Sequence, residues 1–128
     1  MKPLKIEGNS VTPEVCLDDE NNIFLISGRS LPEDPAKFYA QIIAWFEEYY
    51  KNPNENTVIG LDFEYLNSSS IKQLSTLLLR LDELDATTRG TRIRWYYEEG
   101  DVESQKRGEH YSTLVTIPFV ILERFYKR

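Results

Sequence analysis

Between Thr57 and Tyr97 the apolar residues change their spacing from every second residue to a helical stripe and back again, and that alternation fixes the architecture. From Thr57 to Tyr65, Ile59, Leu61, Phe63 and Tyr65 are expected to point one way, and Val58, Gly60, Asp62 and Glu64 the other. From Ser68 to Asp85 the stripe is Ile71, Leu74, Leu77, Leu78, Leu81 and Leu84, which is one face of a helix. Thr87 to Gly90 break it, and Thr91 to Tyr97 alternate again, with Ile93, Trp95 and Tyr97 set against Arg92, Arg94 and Tyr96. A strand–helix–strand unit crosses over right-handed and lays its strands parallel in one sheet. If the two strands are neighbours, Arg92 and Arg94 should lie beside Asp62 and Glu64 and form cross-strand charge pairs.

The flanking segments extend this unit on both sides. Val15–Leu17 and Ile23–Ile26 are short apolar stretches separated by the polar turn Asp18–Asn22, the pattern of a hairpin. Gly28 through Leu31 then release the chain. Asp34 is placed to cap a helix with Pro35 at its first position, and Phe38, Ile42, Trp45, Phe46 and Tyr49 make its apolar face. Asn52–Asn56 end that helix. Asp101 to Leu114 is polar and helical in pattern, weakened by Gly108. Ile117–Leu122 is a last strand, whose Pro118 belongs at an edge or outside the ladder. The expected fold is a single α/β domain over residues 1–128, two layers deep, with a mixed four- to five-stranded sheet and helices mainly on one face.

Composition removes several functions. Hydrophobic residues at 41% and charged residues at 28% describe a soluble, core-forming chain. No apolar run is long enough to cross a bilayer, and Met1–Glu7 turns charged at once, so no membrane role and a cytoplasmic location are expected. The net charge of −6 and the lack of a basic stripe argue against nucleic acid as a partner. Lys106 with Arg107, and Lys127 with Arg128, are isolated pairs suited to solvent. With one cysteine and one histidine the chain holds no zinc ligand set, and neither a metal nor a cofactor is expected.

The segment with chemical potential is Tyr65-Leu66-Asn67-Ser68-Ser69-Ser70-Ile71-Lys72, where a strand hands over to the most apolar helix. Asn67 is a good N-cap, and the three serines fall in the first turn, with their hydroxyls expected to face solvent. Capping alone accounts for these residues. The alternative is a phosphorylation switch. A phosphoryl group adds a charge of about −2 and three acceptor oxygens. At a helix N-terminus that charge is tolerated, while a partner docked over it meets new bulk and charge.

The chain also resembles the SiaC family of bacterial regulatory phosphoproteins, which share the architecture of the anti-sigma-factor antagonists (the STAS-type fold). The resemblance spans nearly the whole chain. It is carried by Ser10–Val15, Leu31-Pro32-Glu33-Asp34, Trp45–Tyr49, Tyr65–Ser70, Trp95–Glu99 and Pro118-Phe119, in that order. It implies that the residue after the Tyr-Leu-Asn segment, Ser68, is the phospho-acceptor. The helix-start motif of the anti-sigma antagonists would select Ser69 instead. It further implies a Ser/Thr protein kinase, a metal-dependent Ser/Thr phosphatase, and a diguanylate cyclase as effector, bound by the unmodified form. Two residues depart from the family pattern: the acceptor is Ser rather than Thr, and Leu31 stands where an aromatic is expected. Tyr65, Leu66, Asn67, Ser69 and Lys72 surround the acceptor and are assigned to the partner-facing surface.

Two other readings compete with the switch. One is a constitutive scaffold or an anti-sigma-factor antagonist with a different partner, in which the serines only cap. The other is a small enzyme using Cys16, His110 or the acidic run Glu98-Glu99-Gly100-Asp101 with Glu103. Cys16 is expected as a buried small hydrophobe between Val15 and Leu17. His110 belongs to a polar surface segment, and the acidic run lacks the ligand spacing of a calcium loop. No catalytic residue is assigned, and the chain is expected not to be an enzyme.

Overall fold

In the computed structural model, which describes residues 1–125, one sheet of six strands carries three helices. The strands are β1 (Leu4–Ile6), β2 (Glu14–Asp18), β3 (Ile23–Ser30), β4 (Thr57–Leu66), β5 (Thr91–Tyr97) and β6 (Phe119–Glu123). The helices are α1 (Pro35–Tyr49), α2 (Ser68–Asp85) and α3 (Val102–Ser112). The strands lie side by side in chain order. The first three form an antiparallel meander, and β3 to β6 run parallel. Lys127 and Arg128, expected as a solvated pair, lie outside the described residues.

Each of the three parallel connections steps one strand further in the same direction. A right-handed crossover therefore puts α1, α2 and α3 all on one face. Aromatic contacts on that face agree: Phe24 of β3 packs against Trp45, Phe46 and Tyr49 of α1, and Trp95 of β5 against Tyr111 of α3. The Tyr111 hydroxyl in turn donates to the Ile71 carbonyl of α2, at 2.7 Å. The α/β class with helices on one face therefore holds, with more strands than the four or five expected.

The differences have local causes. β1 is three residues long, too short for alternation to announce it, yet Leu4 and Ile6 pair with Leu17 and Val15 over the core. β3 does not release at Gly28 but runs on to Ser30, with a register shift between Gly28 and Arg29. Gly28 has φ +99°, a left-handed conformation that glycine adopts without a Cβ clash, so it marks a bulge inside a strand. Across that bulge Phe63 faces Gly28 and Tyr65 faces Arg29, so Glu64 is an extra residue. The alternation therefore fails at the end of β4, and Tyr65, expected inward with Phe63, is exposed.

The expected charge pairs between β4 and β5 also fail to form. Arg92 stands beside Val58 and Arg94 beside Gly60. Asp62 is buried and bonded instead to Arg124, just past β6, and Glu64 meets Arg29 at 3.9 Å. Tyr97 is half-buried rather than core, and Tyr39, outside the expected stripe, is fully buried. Gly108 weakens α3 as a sequence and yet is needed by it: a Cβ there would stand 2.5 Å from Trp95 Cδ1, so only glycine lets the helix lie on that ring.

Candidate functional site

β4 ends at Leu66, and the chain turns into α2 through one extended residue, Asn67 (φ −81°, ψ 171°). The Asn67 side-chain oxygen accepts the Ser70 N–H at 2.9 Å, and its carbonyl accepts the Ile71 N–H at 3.0 Å. Its own N–H donates to the Ser30 carbonyl at 3.1 Å. The junction is thus tied down at both ends: to the first turn of α2 through the cap, and to the last residue of β3 through the backbone. That rigidity places the following side chains without a mobile loop.

The three serines then separate. Ser68 and Ser69 are exposed, whereas Ser70 is fully buried. Ser70 closes a polar chain in the core: its hydroxyl donates to the Ser30 carbonyl at 2.9 Å and accepts from the Ser30 hydroxyl at 2.8 Å. Since the Ser30 proton points at Ser70, the Tyr39 hydroxyl, 2.6 Å away, must donate to Ser30. One proton direction therefore runs from α1 through β3 to α2, and every hydroxyl in it is satisfied. The expectation that all three serines face solvent is corrected for Ser70, because the helical turn aims the third side chain at the core.

Burial pushes the Tyr39 phenol up to about 12, and this outweighs the hydrogen bonding around it. An acid whose folded pKa is raised stabilises the fold fully below its unfolded value, near 10, and loses that contribution as pH rises through the folded value. Stability should therefore fall between about pH 10 and pH 12, the window set by Tyr39. Tyr39→Phe should remove its share of this alkaline loss while costing about 1 kcal/mol at pH 7 through the lost hydrogen bond. Urea titrations at pH 7 and pH 11 check both; a Phe variant as alkali-sensitive as wild type would refute the assignment.

The residues assigned to the partner-facing surface lie around the exposed serines. Tyr65 and Lys72 are exposed, and Leu66 and Asn67 are half-buried. Sequence reasoning missed two cations. Arg29 holds its guanidinium 5.1 Å from the Tyr65 ring centre, pairs with Glu64, and donates from Nε to the Ser10 carbonyl at 3.0 Å. Arg107, read as part of a solvated pair, lines a shallow groove of about 110 Å³ between the end of β4 and the start of α3. Glu64, Tyr65, Leu66, Asp101 and Glu103 line the same groove. Arg29 lay beyond a glycine taken as the strand's end, so no periodic signal marked it. For Arg107 the signal was its place one helical turn before the buried Tyr111.

The residues of the enzymatic reading are not brought together. Cys16 is half-buried rather than buried, on the sheet face opposite Val15 and Leu17, while His110 is exposed on α3, across the sheet. Asp101 of the acidic run spends its carboxylate capping α3, accepting the Ser104 N–H at 3.1 Å. Among the described residues no group of three or more His, Cys, Asp or Glu side chains could hold a metal ion, and no helix is long and apolar enough to cross a membrane.

Comparison with known proteins adds the following. The family model for SiaC family regulatory phosphoproteins matches residues 6–124. An uncharacterised protein of Pseudomonas aeruginosa is 28% identical over 121 residues, covering 94% of this chain and 96% of the relative. The solved structure of SiaC of Pseudomonas aeruginosa superposes with a TM-score of 0.86 at 28% identity, over 97% of this chain and all of that one. A chain in the crystal structure of the diguanylate cyclase SiaD in complex with its activator SiaC, also from Pseudomonas aeruginosa, matches with a TM-score of 0.86 at 27% identity. That match covers 94% of this chain and 99% of the other.

Proposed function

The chain belongs to the SiaC family of regulatory phosphoproteins, and from that premise we propose that it is a phosphorylation-switched activator of a diguanylate cyclase. It acts by binding and not by catalysis, in the cytoplasm. Unmodified, it docks on the effector through the junction of β4 and α2. A Ser/Thr kinase transfers a phosphoryl group from ATP to the Ser68 Oγ, whose proton leaves, and a metal-dependent phosphatase removes it by hydrolysis.

One observation carries the reading: Ser68 is exposed at the first position of a rigidly capped helix, two residues from a serine the core has already used. A kinase can reach the first and cannot reach Ser70 without unfolding the turn. Added charge at Ser68 faces the positive end of α2, where an anion gains about 0.3–1 kcal/mol at exposed sites. The fold therefore survives the modification, and only the docking surface changes. Effector release follows from bulk and like-charge repulsion at the junction.

The test is calorimetric titration of the diguanylate cyclase of the same genome with three forms of this chain. Ser68→Ala should bind as tightly as wild type, and Ser68→Asp at least about tenfold more weakly. Equal affinities would refute the switch. Intact-mass analysis after incubation with the kinase, on wild type, Ser68→Ala and Ser69→Ala, decides between Ser68 and its neighbour Ser69. No added phosphate on any of them would leave a constitutive scaffold.

A further inference from the structure

All three helices cover one face of the sheet, and among the described residues no helix covers the other. The strand register gives its composition. Lys5, Cys16, Leu25, Gly60, Arg94 and Val120 form one lateral row, each residue paired with the next. In the row on one side lie Ile23, Val58 and Arg92; on the other side, Tyr96 pairs with Leu122. Ile23 and Val120 are 44% and 46% exposed. Leu25 and Tyr96 lean over Gly60, whose Cβ would stand 3.1 and 3.7 Å from them, and so make a flat apolar floor.

The charges on this face are segregated, with the exposed carboxylate of Glu14 on β2 and two exposed arginines on β5. Lys5 meets Asp18 at 3.8 Å, and Asp62 is held by Arg124. Arg92 and Arg94 are exposed and make no ion pair among the described residues. Two uncompensated arginines thus stand on an apolar floor in a chain whose net charge is −6. Toward the serine junction, Glu14 and Ser27 lie two residues along their strands from Cys16 and Leu25 of the floor. Glu64 and Arg29 border a second concavity that runs back over Ser27 and Glu14, and Arg29 covers Tyr65, three residues before Ser68.

We infer that the helix-free face is the second half of the effector-binding surface and receives an acidic segment of the effector whose apolar side chains lie on the floor between Arg92, Arg94 and Val120. The inference rests on the reading of a diguanylate cyclase as effector, and it supplies the chemistry that reading lacks. A segment drawn in by arginines is a segment that phosphoserine repels, so attraction on the face and exclusion at Ser68 act on the same partner. The arrangement also sets partner choice, since a basic segment would be refused at the face.

The experiment titrates the full-length diguanylate cyclase of the same genome with wild type, the double variant Arg92→Glu/Arg94→Glu, the double variant Arg92→Lys/Arg94→Lys, and Ser68→Asp, each at low and high salt. Both arginines are exposed, so melting temperatures should match wild type and confirm that loss of binding is not loss of fold. The Glu variant should bind roughly tenfold more weakly or worse, the Lys variant near wild type, and the wild-type affinity should fall as salt rises. Wild-type binding by the Glu variant, or a wild-type affinity indifferent to salt, overturns the inference. If the Glu variant fails while Ser68→Asp binds normally, the face stands and the switch falls. If the Glu variant binds and Ser68→Asp does not, the switch stands and the face falls. A wild-type chain that binds no cyclase overturns both.

Discussion

Ser70→Asp should unfold the domain, and Ser68→Asp, two residues earlier in the same turn, should leave it standing. The Ser70 hydroxyl has no exposed surface and sits between the Ser30 hydroxyl and the Ser30 carbonyl. A carboxylate there gains one donor, the Ser30 hydroxyl, and faces a carbonyl oxygen that repels it. A buried charge without a matching partner costs several kcal/mol, and protonating the acid to avoid that still leaves it too large for the site. The expected loss is above about 4 kcal/mol, a large part of the roughly 5–15 kcal/mol that holds a domain together. At Ser68 the same change faces solvent and the helix N-terminus, and stability should move by no more than about 1 kcal/mol. Ser70→Ala, which deprives the Ser30 hydroxyl of its acceptor and the Ser30 carbonyl of one donor, should lie between, at about 1–3 kcal/mol. Urea denaturation followed by circular dichroism ranks the three variants. A folded Ser70→Asp as stable as Ser68→Asp would mean that the serine is not sealed, and the distinction between acceptor and core serine would collapse.

The same contrast measures how far the sequence could be read. The hand-over from strand to helix was legible, because Asn67 followed by a leucine stripe is a boundary with a physical mechanism; α2 begins and ends where that stripe implied. The strand–helix–strand unit was legible for the same reason, as a change of period over some forty residues between Thr57 and Tyr97. What sits inside the first turn was not. Three identical residues in a row carry no pattern, and only the helical rotation against Ser30 and Tyr39 decides that Ser70 goes in while Ser68 and Ser69 stay out. The bulge at Gly28 was hidden because a glycine between apolar residues signals a turn as well as a bulge, and its effect on β4 exposed Tyr65 against the alternation. Arg92 and Arg94 were misassigned for a further reason. Register fixes which residues are opposite, and the acidic partners they were given are engaged elsewhere, Asp62 by Arg124, more than sixty positions along the chain, and Glu64 by Arg29.

That long-range pair carries the other large effect. Asp62 lies on β4 in the middle of the sheet, and Arg124 follows β6 at its edge; their side chains are 4% and 1% exposed. Arg124 donates from Nε at 2.9 Å and from Nη2 at 2.6 Å to one oxygen, Asp62 Oδ1, while its backbone N–H donates to the Tyr97 carbonyl at 2.7 Å. The guanidinium therefore reaches across β5 and fastens the residue that follows β6 to β4. Asp62→Ala takes the carboxylate from a buried cation, and breaking such a pair from one side costs about 3–5 kcal/mol. The loss should appear as a lower urea midpoint with an unchanged slope, since the folded state stays compact. Replacing both partners, as Asp62→Leu with Arg124→Met, should recover most of the loss, because a buried ion pair gains little over well-packed apolar side chains once its desolvation is counted. Additive single and double variants would show that the two residues do not act together, and the C-terminal clasp would then contribute packing alone. A coupled pair instead makes β6 a strand held by charge as well as by its ladder. It also keeps the Asp62 carboxylate engaged with Arg124, so that Arg92 and Arg94 retain their charge for whatever docks on the open face.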